Sequence, residues 1–587
     1  MHPGNEKLSG QTGIELLQYD ICQSCTAAFK LNFIPVTSNY LTSRLFAVAA
    51  FILAFPGSFT LNAQTDGFQD LKRPPDAISV VTETSSTDLA SGAEGSWSAS
   101  GVTVTTQVHD GGLAVRLAAP GAAVMSLRLH WKASLPAGWK YLGDAWERAY
   151  GDLEWLPLDG QRAMPWYFLA SDGKLTHGYG VKTGPAAFCS WTADESGVSL
   201  VADVRCGGSG VQLGQSRLDV CTVICRRGEP GETPFAAAQA FCGQMCPHPR
   251  LPKQPIYGFN DWYCAYGRDT EDEFLANAKY MVSLAPRGGV RPFAVVDDGW
   301  EEDAAHTTES NLWSRTKPRF STNDMSEIAE RIREIGARPG LWCRPLIATP
   351  DCPPSWRLSR DPNVLDPTVP GVRQHVAQMF SRFHGWGYEL VKHDFTTFDL
   401  LGLWGMDMHS NVTANGWAFA DRSVTTAEVI RNLYLDIRRA AGKDTLILGC
   451  NTVGHLLAGI FEMQRIGDDT SGRDWARTRK MGVNCLAFRE PQHGAFFAVD
   501  ADCAGQTTAD SVPWAENSQW LKLLSQSGTV LFTSFPRNIL NAEQAGELQH
   551  ALNAASKPQP LGEPMDWMDT RTPSQWKLNG SVVQFDW

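Results

Sequence analysis

Apolar and polar residues alternate along the first part of the chain in a pattern that predicts β-strands. The runs at 77–83, 102–108, 124–130 and 198–204 alternate or are rich in β-branched residues, and clusters of Gly, Ser and Asp separate them. We therefore predict an N-terminal antiparallel β-sandwich over residues 66–250. The Pro-rich segment 247–255 cannot continue a regular element, so it marks a domain boundary.

The pattern changes after this boundary to short apolar runs that alternate with helical stretches. Candidate helices include 324–336 and 426–441, and the candidate strands are 257–262, 293–298, 339–343, 390–395, 446–450, 465–469, 496–500 and 530–534. Alternation of strands and helices indicates a parallel sheet, and about eight strands in this length suit a (β/α)₈ TIM barrel. We predict this catalytic barrel over residues 251–556.

Most of these predicted strands end in acidic, aromatic or thiol side chains. The strand-end residues are Asp261, Trp262, Asp297, Asp298, Trp342, Asp394, Cys450, Asp469 and Asp500. Active sites of (β/α)₈ barrels gather at the carboxyl ends of the strands, so these side chains are expected at one mouth.

The last residues, 557–587, form a partial C-terminal β segment. The stretch 576–587 predicts a hairpin with its turn at Asn579-Gly580. An isolated hairpin is marginally stable. Either it packs on the barrel, or it belongs to a β-domain that is truncated here.

Residues 1–65 form a predicted leader that contains a signal peptide. Arg44 precedes the apolar run 45–55, and Ala63 offers a plausible cleavage point, although 44 residues upstream of the run are unusual. The run is short for a membrane span, and a buried core helix is the alternative. We expect a secreted or periplasmic protein without a membrane span.

Composition narrows the functional class. The net charge of -12 argues against a nucleic-acid partner, which favours a basic face. The 21 Trp residues lean only weakly towards a carbohydrate partner, because Trp is more often a core residue. Of the 14 Cys, 12 follow the leader. Cys221, Cys225, Cys242 and Cys246 lack the spacing of a zinc ribbon, so disulfides or free buried thiols are expected.

Asp394 and Asp469 are the candidate catalytic residues, because retaining glycoside hydrolysis uses two carboxylates. Lys392 lies two residues before Asp394 on the same strand face, where its charge favours an ionised nucleophile. A structural ion pair is the alternative. Asp469 faces a site that already holds negative charge, and we expect repulsion to raise its pKa and suit it as acid/base. One of Asp468 and Asp469 is alternatively a helix N-cap.

Asp297 and Asp298 form a second acidic pair. They suit recognition of vicinal sugar hydroxyls, and a solvated acidic turn is an equal alternative for the pair alone. A metal site is the minority interpretation: His393 alternates away from Asp394, and His455 is the other histidine near a strand end. We expect neither a metal nor a cofactor.

Residues 257–503 resemble the melibiase-type α-galactosidases of glycoside hydrolase families 36 and 27. The matching stretches, one per strand and in family order, are 258–262, 296–300, 339–342, 392–395, 446–450, 465–470 and 500–503. The resemblance implies that Asp394 is the nucleophile, Asp469 the acid/base, and that no cofactor is used. It further implies substrate binding by Trp262, Asp297, Asp298, Trp342, Lys392, Cys450 and Arg465.

Three departures from the family pattern leave the exact sugar open. The seventh strand has Val499-Asp500-Ala501-Asp502 where Asn-Asp-Pro-Asp is usual, and the first strand has Phe259 where Trp is common. The last strand, 530–536, has no acid. An α-N-acetylgalactosaminidase, a β-L-arabinopyranosidase, a raffinose-synthase-like transglycosylase and a non-catalytic carbohydrate-binding protein remain alternatives. Trp146 either reaches the active site from the N-terminal region or is a core residue. A homo-oligomer is possible.

Overall fold

The N-terminal region consists of two antiparallel sheets, as the alternating pattern predicts. The computed structural model describes residues 66–302, 312–317, 320, 322 and 324–587, so the predicted leader lies outside the described residues. The strands are β1 (Ala77–Thr82), β2 (Ser86–Asp88), β3 (Ala90–Ser91), β4 (Ser96–Ala99), β5 (Val102–His109), β6 (Gly112–Ala118), β7 (Val124–Lys132), β8 (Lys140–Gly143), β9 (Met164–Pro165), β10 (Tyr167–Ser171), β11 (Thr176–Val181), β12 (Phe188–Asp194), β13 (Gly197–Asp203) and β14 (Arg217–Arg226).

The two sheets pack face to face. One has the order β2-β1-β7-β13-β12-β9 and the other β3-β4-β5-β6-β14-β11-β10-β8. Phe168 on β10 meets Trp191 on β12 edge to face, with ring centroids 5.9 Å apart. Both side chains are fully buried, so the inward residues of the alternating strands form a shared core.

A helix that the strand pattern does not predict closes this region. Helix α1 (Pro234–Met245) begins at the N-cap Thr233, whose side chain accepts from Ala236 N–H. It lies against β11, where a Cβ on Gly178 would be 2.3 Å from the Phe241 ring. Glycine at that position therefore permits the close approach of helix and sheet.

The second region is a TIM-barrel-like parallel sheet surrounded by helices. Its strands are β15 (Tyr257–Asn260), β16 (Phe293–Val296), β17 (Arg338–Cys343), β18 (Leu390–His393), β19 (Leu446–Gly449), β20 (Met463–Arg465), β21 (Ala498–Asp500), β22 (Cys503–Gly505) and β23 (Leu531–Ser534). The order is β21-β20-β19-β18-β17-β16-β15-β23-β22, and all pairs are parallel. Each predicted strand of this region therefore has a counterpart.

The helices of this region follow the strands in sequence. They are α2 (Trp262–Ala265), α3 (Glu271–Leu284), α4 (Ser326–Glu334), α5 (Pro370–Gly385), α6 (Thr396–Leu401), α7 (Thr426–Ala440), α8 (Gly454–Leu457), α9 (Trp475–Thr478), α10 (Cys485–Arg489), α11 (Trp514–Gln526) and α12 (Ala542–Ala555), with a π-helical turn at Arg479–Asn484. Capping boxes start α3 at Thr270, α7 at Thr425 and α12 at Asn541. Each such cap stabilises a helix by about 1 kcal/mol.

Strand β20 is shorter than the sequence predicts. We expected it to run to Asp469, but it ends at Arg465. Beyond that point the backbone changes partner: Ala149 N–H of the N-terminal region donates to Ile466 C=O at 2.6 Å, and Ala149 bridges Gly467. A Cβ on Gly467 would lie 2.5 Å from Met481 C=O, so this close passage needs glycine. Asp469 consequently lies on a loop rather than at a strand end.

The C-terminal segment packs on both regions. It contains β24 (Glu563–Pro564), β25 (Gln575–Leu578) and β26 (Ser581–Gln584), with positive φ at Asn579 and Gly580 in the predicted turn. Trp567 contacts Trp155, Phe235 and Phe488 at centroid distances of 5.4, 5.8 and 5.7 Å. The predicted hairpin is present, and the neighbouring Trp587 packs on Trp475 of the barrel region at a centroid distance of 6.2 Å. In the described residues, no helix combines the length and apolar character that crossing a membrane requires.

Candidate active site

Asp394 follows β18 directly, and Phe395, Asn451 and Trp342 donate hydrogen bonds to its two carboxyl oxygens. Phe395 N–H donates to Oδ1 at 2.8 Å and Asn451 N–H donates to the same atom at 3.0 Å. The indole Nε1 of Trp342 donates to Oδ2 at 3.0 Å. Phe395 adopts a left-handed φ of 65°, which costs free energy in a non-glycine residue.

The charge environment favours the ionised form of Asp394. Burial by itself would raise its pKa, and the charges of Lys392 and Arg148 oppose that shift. Hydrogen bonds from the Cys450 thiol and from Trp342 act in the same direction, and the net result is a lowered pKa. The expected ionised carboxylate therefore has a physical basis.

Asp469 has the opposite environment. Its Oδ1 accepts from Arg465 Nη2 at 2.6 Å, while its Oδ2 has no hydrogen-bond partner in the described part of the chain. Burial raises its pKa to about 7, although Arg465, Arg477, Lys392 and Arg148 all oppose that shift. The pKa of Asp469 is raised, as predicted, but burial rather than repulsion by a neighbouring carboxylate is the largest cause.

The N-cap alternative for Asp468 and Asp469 is wrong. The next helix, α9, is capped by Asp474, whose side chain accepts from Ala476 N–H at 2.9 Å. Asp468 instead lies between two guanidinium groups, 3.2 Å from Arg148 Nη2 and 2.9 Å from Arg477 Nη2. It is a buried acid of the loop after β20.

Lys392 pairs with Asp297 and also acts on Asp394 through its charge. Its Nζ donates to Asp297 Oδ2 at 2.5 Å, and Asn260 Nδ2 donates to the same oxygen at 2.6 Å. Burial alone would lower the pKa of Lys392, but the adjacent Asp297 raises it overall. The structural ion pair and the electrostatic effect on Asp394 therefore occur together.

Asp298 is the more exposed member of the acidic pair. Its N–H donates to Asp297 Oδ1 at 2.9 Å. Withdrawal of the carboxyl from water raises the pKa of Asp298 well above its usual value, and Glu301 and Asp297 add to the increase. Because Asp297 is bonded to Asn260 and Lys392 and the Asp298 carboxyl is hydrogen-bonded to Glu301, a freely solvated acidic turn does not describe the pair.

The aromatic and thiol residues named from the sequence lie around these acids. Trp342 and Cys450 both bond to Asp394. Trp262 is buried with its indole Nε1 unbonded among the described residues, and its ring centroid lies 5.3 Å from that of Tyr266. That indole N–H is a donor with a hydrogen bond still to make.

Arg465 joins Asp469 to Asp502, an acid in the stretch 499–502 that differs from the family pattern. Its Nη2 lies 2.6 Å from Asp469 Oδ1 and 3.0 Å from Asp502 Oδ2. Asp502 also accepts from Tyr263 Oη and from Thr470 N–H and Oγ1. The acid in the altered stretch at the seventh predicted strand therefore anchors the arginine of the site.

The N-terminal region reaches the site through Glu147 and Arg148, the two residues that follow Trp146. Trp146 is a core residue: it packs edge to face on Trp166 at 5.4 Å and donates to His409 C=O at 2.9 Å. Glu147 instead accepts from Asn451 Nδ2, and Arg148 reaches Asp468. The core alternative for Trp146 is therefore confirmed, whereas Glu147 and Arg148 gave no motif signal in the sequence.

The two histidines considered as metal ligands are buried core residues. Burial lowers the pKa of both His393 and His455 to about 3. His393 Nε2 bonds Thr396 Oγ1, and His455 Nε2 lies 3.0 Å from Val181 C=O. The described residues contain no group of three or more His, Cys, Asp or Glu placed to hold a metal, and their twelve Cys are free, eleven of them buried.

Comparison with known proteins places this fold among glycoside hydrolase structures. No family model matches the sequence. An α-galactosidase from Thermus thermophilus, TtGalA in complex with p-nitrophenyl α-D-galactopyranoside, aligns with a TM-score of 0.56 at 18% identity, over 82% of this chain and 96% of that one. The GH36 α-galactosidase AgaA from Geobacillus stearothermophilus aligns with a TM-score of 0.54 at 14% identity, over 80% and 68%.

These similarities confirm, for the fold, the resemblance to α-galactosidases that the sequence motifs indicate. Two proteins that share less than a fifth of their residues with this chain follow the same path over about four-fifths of it. A fold hosts many chemistries, so the activity must be argued from the site.

Proposed function

We propose that the protein is a retaining α-galactosidase that removes terminal α-linked galactose from oligo- or polysaccharides. The observation that carries the proposal is the pair of buried carboxyls with opposite pKa shifts, lowered at Asp394 and raised to about 7 at Asp469. Lys392 and Arg148 act on both acids, so the two carboxyls share one electrostatic environment. Carboxyls with divergent pKa values identify an acid/base division of labour. The fold shared with α-galactosidases supports the same conclusion.

In the first proposed step, Asp394 attacks the anomeric carbon of the galactoside. The donors on its carboxylate fix its orientation before the attack, which lowers the entropic part of the barrier. Asp469 donates a proton through Oδ2 to the leaving glycosidic oxygen as that bond breaks. The products are a covalent β-linked galactosyl-Asp394 ester and the free aglycone alcohol.

In the second step, ionised Asp469 accepts a proton from water as the water oxygen attacks the anomeric carbon. The ester bond to Asp394 breaks, the Asp394 carboxylate re-forms, and Asp469 is protonated again. Arg465 keeps Asp469 in place through both steps, because its guanidinium is also bonded to Asp502. Two inversions give galactose with retained α configuration.

The substrate-binding roles follow from the donors and acceptors around the acids. Asp297 and Asp298 are proposed to bind the 4- and 6-hydroxyls, with Asp297 held by Asn260 and Lys392. Trp262 would offer its unbonded indole N–H and its ring to the sugar, and Trp342 and Cys450 would lie below the anomeric carbon beside Asp394. No residue of this set requires a cofactor for the two steps.

The finer features of the fold belong to the same proposal. We propose that β21 and β22, separated by Ala501-Asp502, are halves of one strand, since one pairs with β20 and the other with β23. This would close a (β/α)₈ barrel between residues 251 and 556. Export to the periplasm or medium after removal of residues 1–65 is proposed from the sequence alone, as is a homo-oligomer.

A glycoside panel combined with product analysis tests the function. Purified protein is assayed on nitrophenyl α- and β-glycosides of galactose, N-acetylgalactosamine, arabinose and glucose, and NMR follows the first anomer released. We expect preferred cleavage of the α-galactoside with the α anomer formed first. Preference for the N-acetyl or β-L-arabinosyl substrate would replace the sugar, transfer to added sucrose would favour a transglycosylase, and first release of the β anomer would refute retention.

A further inference from the structure

The segment 144–150 connects the N-terminal sheets to the mouth of the barrel. Ala149 pairs with the backbone just after β20, as described above. The buried Arg489 fixes the crossing: its Nη1 donates to Glu147 C=O at 2.9 Å and to Ile466 C=O at 3.1 Å. Its Nε lies 2.9 Å from Asp144 Oδ1. Both regions therefore share one hydrogen-bonded layer beneath the catalytic loops.

Glu147 is linked to Asp394 by two hydrogen bonds through one intervening residue, Asn451. Its Oε2 accepts from Asn451 Nδ2, and the backbone N–H of Asn451 donates to Asp394 Oδ1 at 3.0 Å. Its Oε1 accepts from Gly405 N–H at 2.9 Å and from Tyr150 Oη. The side chain thus fixes Asn451, whose backbone holds the proposed nucleophile.

Arg148 stands in the same relation to the other acid. Its Nη2 lies 3.2 Å from Asp468 Oδ1, in the residue that precedes Asp469, and its Nε donates to Tyr150 Oη at 3.1 Å. The guanidinium lies over the Trp404 ring, 5.2 Å from the centroid. Glu147 and Arg148 are both fully buried.

Burying two charged side chains between the N-terminal region and the barrel costs desolvation free energy, so they contribute little net stability. Apolar side chains of similar volume usually stabilise such a place equally well or better. The alternative use of buried charge is to fix a unique geometry and a local field, and both side chains point to neighbours of the catalytic acids.

We propose that Glu147 and Arg148 are positioning residues of the N-terminal region, which orient Asp394 through Asn451 and Asp469 through Asp468. This rests on the proposed function. It means that the barrel alone lacks part of the apparatus that places its two acids.

The charge of Arg148 has a second consequence for pH dependence. The ionisable groups around it are Glu147 and Tyr150 on its own segment, Asp468 and Asp469 after β20, Asp394 after β18, and Cys450 after β19. Its cation lowers the pKa of both Asp394 and Asp469, so removing it should raise both.

The test compares full-length variants on whichever nitrophenyl glycoside the wild type cleaves. Arg148→Met removes the charge, and Arg148→Lys keeps the charge without the planar fork. Arg205→Met is the matched control. Arg205 is also a buried arginine of the N-terminal region, and it donates to Asn415 of the barrel region at 2.8 Å rather than to residues beside Asp394 or Asp469. The measurements are kcat, KM, the pH profile of kcat/KM, and Tm.

We expect Arg148→Met to move both limbs of the pH profile to higher pH, while Arg148→Lys and Arg205→Met leave the limbs in place. In Arg148→Lys, kcat should fall by about tenfold or more with little change in KM, because the loop carrying Asp469 is less well held. Unmoved limbs in Arg148→Met, with a Tm loss like that of Arg205→Met, would overturn the inference.

If Arg148→Met does not fold, the other variants decide. Glu147→Gln places an amide against the Asn451 and Gly405 donors, so kcat should fall with KM nearly unchanged. Unchanged kcat in both Glu147→Gln and Arg148→Lys would overturn the inference. A wild type that cleaves no glycoside would refute the proposed function and this inference together, whereas an active wild type with unaffected variants would refute the inference alone.

Discussion

The surroundings of Asp394 and Asp469 differ in how completely each carboxyl is satisfied. Asp394 receives hydrogen bonds from Phe395, Asn451, Trp342 and the Cys450 thiol and has a lowered pKa. Asp469 is bonded through one oxygen, and burial raises its pKa to about 7. Both acids are buried to a similar degree, so hydrogen bonds and charges, not depth, decide which one ionises first.

The difference also has a backbone origin. Asp394 follows a strand directly, so its position is set by the sheet and by the left-handed Phe395. Asp469 lies four residues beyond its strand, on a loop held by Arg465, Arg148 and Arg477. A rigid site suits a nucleophile that must be aligned, and an arginine-held loop suits an acid whose free oxygen must meet a leaving group.

The largest expected effect comes from removing the better-satisfied acid. Asp394→Asn keeps the shape and should lower kcat by about 10⁴-fold or more, because no comparable nucleophile remains. The matched control is Asp399→Asn, a buried acid five residues on that pairs with Arg344 at 2.6 Å. It should lose about 1–3 kcal/mol of stability and keep its turnover. Near-normal hydrolysis by Asp394→Asn would contradict the assignment.

The second prediction concerns stability at the less satisfied acid. The pKa of Asp469 is about 7 in the folded state and near 3.8 unfolded, so its contribution to stability is complete below the unfolded pKa and declines as pH rises through about 7. Asp469→Asn cannot ionise and should gain Tm over the wild type between pH 5 and pH 8. From pH 5 to pH 8 the gain in unfolding free energy relative to the wild type is at most about 3 kcal/mol. An equal Tm difference between mutant and wild type at both pH values would show that folding does not raise the pKa of Asp469.

A smaller effect is expected from one hydrogen bond to Asp394. Trp342→Phe removes the indole N–H from Oδ2 and keeps most of the ring. Because that bond helps to lower the pKa of Asp394, the acidic limb of kcat/KM should move to higher pH, and kcat should fall by about tenfold. A drop in activity without movement of the limb would indicate lost sugar packing alone.

The smallest effect is expected at the tryptophan that lies in the core. Trp146→Phe loses the bond from Nε1 to His409 C=O and should cost about 1–2 kcal/mol of stability. Its kcat, KM and pH profile should match those of the wild type. A raised KM would place Trp146 at the substrate after all.

Much of this molecule follows from sequence patterns because its strands are buried and its site residues follow them. The predicted strands that carry Asp297, Trp342, Asp394 and Cys450 all have counterparts, and the hairpin turn at Asn579-Gly580 forms as expected. Trp342 and Cys450 contact Asp394, and Asp297 contacts Lys392, because the carboxyl ends of a parallel sheet meet at one mouth.

What the sequence could not predict depends on contacts distant in the chain. Strand β20 ends early because Ile466-Gly467 pairs with Ala149, over 300 residues away. The pKa of Asp469 rises through burial, which depends on the packed structure rather than on local charge. Glu147 and Arg148 gave no signal, because a Glu-Arg pair in a connecting segment is normally exposed.

The most direct test is the alkaline limb of kcat/KM with an alkyl α-galactoside, whose leaving group must be protonated as it departs. The wild type should lose activity above about pH 7, where Asp469 ionises. Asp469→Ala should be slower but show no fall in that range, because the titrating group is gone. A limb near pH 7 that persists in Asp469→Ala would assign it to another group and contradict the division of roles between Asp394 and Asp469.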